Sequence, residues 1–410
     1  MMTAALDPGE RQPLSIAANT VQTGSAQRLR IAVLNRTFSP TGGGAERYSI
    51  ALVEQLAASH DIHVFAQQID HQWPGVTYHV VSSPLLKPRW INQLWYASAT
   101  WWATRQGFDL VHSHENTWHG QVQTVHVLPV KYNLFHERTG WRWVLRWLKV
   151  VTSPRLTAYL WLERLRFSVK NHRTIVVTSR SLLTQMTKAY PATESVLRVI
   201  TPGVSMVSGV TRPEQKLAAR LRLGLPKTGP GILFVGNDYR KKGLAALIWA
   251  LQLQPANTWL AVVGNSLQVP EFQAQARAAG VLDRVIFIGS LKDVGDAYMA
   301  ADCLAHPTQE DTFAMVVLEA MAHGLPVVVS RERYCGISGL LTHETNALIL
   351  NDPHDVHALA EALGRVLHES PFRHSLCAAA MDFAGNHQWG RIASQQEEIY
   401  FSVLTAAVNK

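Results

Sequence analysis

Two carboxylates, Asp311 and Glu319, lie eight residues apart in the string DTFAMVVLEAMAHGLPVVVS. The polar turn Thr308–Thr312 leads into an apolar run, Phe313–Met321, broken by Glu319. Gly324 and Pro326 stop a helix in the usual order, and His323 suits the negative end of its dipole. A charge on an otherwise buried helix needs a partner. The free N–H groups at the helix start, near Thr312–Met315, offer positive partial charge to an anion. With the helix starting near Phe313, Glu319 stands about 9 Å further along the axis. That separation suits one elongated polar ligand. The competing reading is structural, with Asp311 as a helix cap and Glu319 paired with an arginine.

A second cluster is cationic. Arg240, Lys241 and Lys242 precede Gly243 and a helix of Leu and Ala. Cations at a helix start repel unless an anion or solvent offsets them. Lysine as a point charge and arginine as a bidentate donor make a diphosphate clamp; a solvated loop is the alternative. The Gly42-Gly43-Gly44 run follows the first strand and precedes an amphipathic helix, an arrangement that presents N–H groups to phosphate. It is neither a P-loop nor a dinucleotide fingerprint, so a flexible turn is equally consistent. His112, His114, His119 and His126 crowd one stretch without the pairing of a helical metal site, and no metal is expected.

These residues need a frame. Strands are expected at Arg28–Asn35, Ile62–Ala66, Val76–Val81, Leu110–His114, Thr124–Leu128 and Thr174–Ser179, with Leu197–Val204 closing the first half. In the second half they fall at Gly231–Gly236, Trp259–Gly264, Val285–Gly289, Cys303–His306 and Pro326–Val329. Strands alternating with helices predict an α/β fold of doubly wound parallel sheets, and ligands bind at the carboxyl ends of such strands. That rule makes His112, His114, Glu115 and His126 candidates. A chain of 410 residues divides into more than one core. The expected plan is a mobile tail over 1–27, a Rossmann-like domain over 28–205, a second over 206–388, and a returning helix over 389–410.

Net charge is +8, which favours an anionic partner: a phosphorylated substrate, nucleic acid or an anionic membrane. Cys303, Cys335 and Cys377 are too far apart for a metal or disulfide framework. No secretory leader pattern opens the chain and no run of about 18 apolar residues occurs, so the expected location is the cytoplasm. Lys87–Arg105 carries Trp90, Trp95, Trp101 and Trp102. His136–Lys149 carries Trp141, Trp143 and Trp147, with Arg142, Arg146 and Lys149 on one helix face. Rings plus cations suit a helix lying on anionic lipid; a core helix with a solvated basic face is the alternative. Nucleic acid is disfavoured, because no nucleic-acid motif accompanies the pattern.

The Asp311–Ser330 string resembles the acidic motif of retaining GT-B glycosyltransferases of family four. That motif has two acids eight apart, then an alanine-rich segment, glycine and proline. The likeness covers residues 29–405, and its wording is similar to bacterial lipopolysaccharide-type transferases. The first acid is more often glutamate there, glycine is common where Ala314 stands, and Glu310 rivals Asp311. The resemblance implies two Rossmann-like domains facing across a cleft. It implies that Glu319 holds ribose hydroxyls and Asp311 a sugar hydroxyl, while the N–H groups of Ala314, Met315 and Val316 meet phosphate. Lys242 matches a diphosphate lysine. The family's other cation falls at Asn237, which leaves Arg240 to supply it. Gly43 and Gly44 match a loop at the reaction centre, His126 a histidine at the transferred sugar, and Gly264 and Leu291 the base site.

The implied function is transfer of a sugar from a nucleotide-diphosphate donor to a glycan or lipid-linked acceptor in lipopolysaccharide or surface-polysaccharide synthesis. Neither a metal nor another cofactor is implied, and peripheral contact with the inner face of the cytoplasmic membrane is. Another GT-B-type enzyme, an epimerase or phosphorylase, and a non-catalytic membrane-surface binding protein are the alternatives.

Overall fold

The computed structural model describes residues 28–408 except 41, 86, 171, 208, 210 and 265. The expected N-terminal tail, 1–27, lies outside the described residues. Strands β1 (Arg30–Leu34), β2 (Thr37–Phe38), β3 (Asp61–Ala66), β4 (Gln68–Ile69) and β5 (Val76–Val80) come first. They are followed by β6 (Leu110–Ser113), β7 (Val122–Val125), β8 (Thr174–Val177) and β9 (Leu197–Val199). Seven of them form a parallel sheet in the order β5-β3-β1-β6-β7-β8-β9, and β2 pairs separately with β4. Strands β10 (Gly231–Val235), β11 (Trp259–Val263), β12 (Val285–Gly289), β13 (Cys303–His306), β14 (Val327–Ser330) and β15 (Leu348–Leu350) form a second parallel sheet, ordered β12-β11-β10-β13-β14-β15.

Central strands such as β10 and β11 are unbroken apolar runs because helices cover both faces of the sheet. Two apolar clusters, one on each face, hold the second sheet. In each sheet the order reverses beside its first strand, between β1 and β6 and between β10 and β13. A crevice opens at each such reversal. The loops that leave β10 and β13 carry the cationic cluster and Asp311, so the topology brings residues about 70 positions apart to one place.

The helix Trp389–Val408 packs on Gly44–Leu56 beside the first sheet. Tyr400 is fully buried, and its hydroxyl lies 2.7 Å from His112 Nδ1. Trp389 meets Tyr48 edge to face at 5.5 Å. The β7 strand starts and ends earlier than expected, because its ladder with β6 and β8 covers Val122–Val125 and leaves His126 beyond the sheet edge. β15 went unread in the sequence; three apolar residues give too little pattern to distinguish from a loop.

Candidate functional site

The carboxyl ends of the two sheets face a common cleft of about 580 Å³. Of the expected residues, Gly43, Gly44, His126, Asn237, Lys242, Asp311, Ala314, Met315 and Val316 line it. Gly264 and Leu291 line it as well.

Asp311 is the most heavily bonded group there. Its Oδ2 takes Lys242 Nζ at 2.5 Å and His306 Nε2 at 3.1 Å, and its Oδ1 takes the N–H groups of Ala314 at 2.8 Å and Phe313 at 3.3 Å. Burial by itself would raise this carboxyl, but the His306 hydrogen bond and the Lys242 charge outweigh it and hold the group well below the usual carboxylate range. Four donors fill the acceptor sites of a carboxylate. Asp311 thus holds the two N–H groups just ahead of the helix that begins at Met315. Glu310 points outward to Lys241 at 3.0 Å, so Asp311 is the acid of this pair that enters the cleft.

The backbone locks this loop to the cationic turn. Gln309 N–H donates to Lys241 O at 2.8 Å. Gly243 has a φ of 80°, and a side-chain carbon there would lie 1.9 Å from the Pro307 carbonyl oxygen. Only glycine fits such a position, and it sets where Lys242 begins.

Three expectations need correction. Arg240 does not reach the cleft: its guanidinium makes a bidentate pair with Glu271 on the outer surface. Asn237, not Arg240, lines the cavity. The Ala314 N–H is unavailable to phosphate, because the helix begins at Met315 and Asp311 takes that group. Met315 and Val316 occupy the first two helical positions, whose N–H groups have no partner within a helix. Glu319 is absent from the cavity lining. It sits in the second turn of the helix with both oxygens engaged, Oε1 by Arg47 Nη1 at 2.9 Å and Oε2 by the Tyr298 hydroxyl at 2.8 Å.

Several lining residues escaped the sequence reading: Glu46, Arg47, Tyr48, Asp238 and Lys292. The charged pair directly after the glycine run, GGGAER, was the available signal for Glu46 and Arg47. Lys292 follows β12 in a loop without a motif.

His126 sits at the cleft wall, its Nε2 2.9 Å from His114 Nδ1 with the rings stacked. Burial, then the Arg166 charge, lowers His126 to about 3, so the ring is neutral. Its carbonyl accepts from Thr312 Oγ1 at 2.7 Å, joining the two halves across the cleft. His112 is sequestered between Tyr400 and Thr124, and Glu115 accepts from the Arg36 N–H. Among the described residues no group of three or more His, Cys, Asp or Glu is arranged to hold a metal ion.

Comparison with known proteins agrees with this architecture. Residues 42–206 match the family described as Glycosyltransferase Family 4, and residues 216–382 match Glycosyl transferases group 1. A D-inositol 3-phosphate glycosyltransferase of Xylanimonas cellulosilytica is 31% identical over 237 residues, 55% of this chain and 56% of the relative. Lipopolysaccharide glucosyltransferase WaaG of Escherichia coli is 27% identical over 238 residues, 57% of this chain and 63% of the relative. The chain thus spans little more than half the length of these curated relatives. Solved structures give the fold. WaaG superposes with a TM-score of 0.77 at 21% identity, covering 90% of this chain and 99% of that one. Anabaena Alr3699/HepE in complex with UDP-glucose gives 0.71 at 18%, covering 92% and 100%. The fold is GT-B.

Proposed function

The chain belongs to glycosyltransferase family 4, and from that premise we propose that it transfers a sugar, with retention, from a nucleotide-diphosphate donor to a glycan or glycolipid acceptor. One observation carries the donor class. Lys242 Nζ and the open helix start at Met315–Val316 meet in one cavity at the reversal point of the second sheet. A diphosphate placed there is met by the Lys242 ammonium, which also holds Asp311 and the Glu310 carbonyl, and by two N–H groups that need no reorganisation. Binding draws Lys242 from Asp311 and frees an acceptor on that carboxylate for a sugar hydroxyl. UDP-glucose is the first donor to try, since HepE is solved with it. A surface-polysaccharide acceptor follows from the likeness to WaaG, and inositol phosphate from the other curated relatives. Neither a metal nor another cofactor enters this reading.

Glu319 lies too far behind the helix start to serve phosphate. Its place in the proposal is at the ribose end, reached when Arg47 releases it. The test is a thermal-shift screen of UDP, GDP and ADP sugars, followed by transfer with the anomeric configuration of the product read by NMR. A donor should raise the melting temperature by mass action, and Lys242→Met should reduce the rise at the same donor concentration. No response to any nucleotide sugar, or an inverted product, overturns the corresponding part of the proposal. Transfer to a separate acceptor excludes an epimerase, and a pyridoxal phosphate requirement would favour a phosphorylase.

The place of action we propose is the cytoplasmic face of an anionic membrane. The helix Gly140–Val151 buries Val150 and leaves its tryptophans out. Trp141 is 68% exposed, and Trp143, Leu145, Trp147 and Leu148 are exposed too. Nearby Trp161, on the helix Pro154–Arg166, is also exposed. A core role for the Gly140–Val151 helix is therefore overturned. Arg142, Arg146 and Lys149 lie among those rings, which gives charge complementarity to acidic headgroups. No helix among the described residues is long and apolar enough to cross a membrane. A surface of this kind would bring the cleft to a lipid-linked acceptor.

A further inference from the structure

His126 has two ring nitrogens, and the function assigned to it depends on which carries the proton. Both members of the His114–His126 pair are neutral. Burial first, and neighbouring positive charge after it, lowers each far below the ordinary histidine range. Two neutral rings share one proton across the 2.9 Å contact between His114 Nδ1 and His126 Nε2. There are two ways to place it.

If His126 Nε2–H donates, the His114 proton must sit on Nε2. That atom is buried and has no hydrogen-bond partner. The arrangement leaves a buried N–H orphaned, the defect folded proteins most consistently avoid. If His114 Nδ1–H donates instead, His114 Nε2 is a bare lone pair, and the His126 proton moves to Nδ1. His126 Nδ1 is not among the buried unpartnered atoms, and His126 lines the cleft, where a ligand or water can accept from it. The second arrangement gives both ring protons a partner. The rings are nearly parallel, with an interplanar angle of 10° and centroids 5.2 Å apart, which suits an in-plane N–H···N bond. Tyr48 packs against both, edge-on to His126 and tilted to His114.

We propose that His114 is a positioning residue that holds His126 as the Nδ1–H tautomer, so that His126 meets the transferred sugar as a hydrogen-bond donor. This rests on the donor reading above and sharpens it. A ring whose remaining nitrogen, Nδ1, already bears a proton takes none from the acceptor hydroxyl. His126 is therefore not the general base, and the oxygen it selects on the sugar is one with a lone pair directed at it.

The test is long-range proton–nitrogen NMR of the full chain with labelled histidine, without ligand. The His126 signals are those lost in His126→Gln. The expected pattern is protonated Nδ1 with bare Nε2; the reverse pattern overturns the proposal. His114→Phe removes the donor and should mix the tautomers, while His114→Asn restores an N–H donor and should recover the pattern. With a working donor, kcat should fall about fivefold in His114→Phe, the scale of one hydrogen bond, and recover in His114→Asn. Equal losses in both variants with the tautomer unchanged would also overturn it. An Nδ1–H pattern in a chain that turns over no nucleotide sugar would sink the donor reading and leave the tautomer standing. The converse result would do the opposite.

Discussion

Arg47, on the helix after the glycine turn, reaches across the cleft to Glu319 on the helix after Asp311, with Nη1 2.9 Å from Oε1. The two side chains are 31% and 18% exposed, so the pair is partly screened. It links the halves of the molecule and occupies the carboxylate proposed for the ribose. Arg47→Met should cost about 1–2 kcal/mol of stability, between the values for exposed and buried pairs. It should also raise donor affinity if Arg47 and ribose compete. Glu319→Ala should cut turnover by about tenfold or more, the cost of about one charged hydrogen bond. Thermal unfolding and steady-state kinetics read both, and near-wild-type turnover in Glu319→Ala would remove it from the site.

Lys242 and Asp311 form the pair through which donor binding is proposed to act. Lys242→Met should weaken nucleotide diphosphate binding by about tenfold or more, as expected for a lost charge-assisted contact. Asp311→Ala should lower turnover at least as far. Asp311 has a depressed folded pKa, so its stabilisation is present above its ordinary value of 3.8 and lost as pH falls through the lower folded value. Removing Lys242 raises that folded value. The acid-unfolding midpoint of Lys242→Met should therefore move to higher pH, and an unchanged midpoint would deny the coupling.

The buried histidines set a second pH dependence. Burial lowers His112 and His126 to about 3 and His119 to about 4. In the unfolded chain they protonate below about pH 6.5. Between those limits the unfolded state binds more protons, so stability falls as pH drops through that window. The slope is about 1.4 kcal/mol per pH unit for each histidine fully engaged. Urea unfolding at several pH values measures it. His119→Asn should remove roughly one proton from the slope; a flat profile from pH 6.5 to 4.5 would contradict the burial of these rings as neutral groups.

Ala314 adopts a φ of 73°, in the left-handed region, directly before the helix. A Cβ there costs about 1 kcal/mol that glycine avoids. Ala314→Gly should raise the melting temperature by about 2–4 °C for a domain of this size. A fall instead would mean that packing of the buried methyl outweighs the backbone strain.

Trp141→Ala with Trp147→Ala should change the melting temperature little, because the two residues are 68% and 49% exposed. The same double variant should lose sedimentation with anionic vesicles at low salt. Retained binding, or no binding by the unsubstituted protein, would reject the membrane surface.

The identity of the strands and the parallel α/β plan were readable in the chain because doubly covered strands must be continuous apolar runs. That Asp311 and Lys242 line the cleft was legible from the chemistry of a helix start, and that His126 does from the strand-end rule. The same rule also put forward His112 and Glu115, which are absent from the lining. Arg240 and Lys242 could not be separated on paper. They stand two apart in one turn, and only the folded backbone directs one to Asp311 and the other to Glu271. The same holds for the Ala314 N–H, whose availability depended on the residue at which the helix begins.

By itself, then, the order of residues determined two Rossmann-like sheets and the acidic and cationic loops at their carboxyl ends, since periodicity and turn chemistry are local. The tertiary structure decided which side chains meet across the cleft. Arg47 with Glu319 and Thr312 with the His126 carbonyl are pairs separated by 272 and 186 positions. Such contacts depend on how two separately built domains close on each other, and no local pattern along the chain encodes that distance.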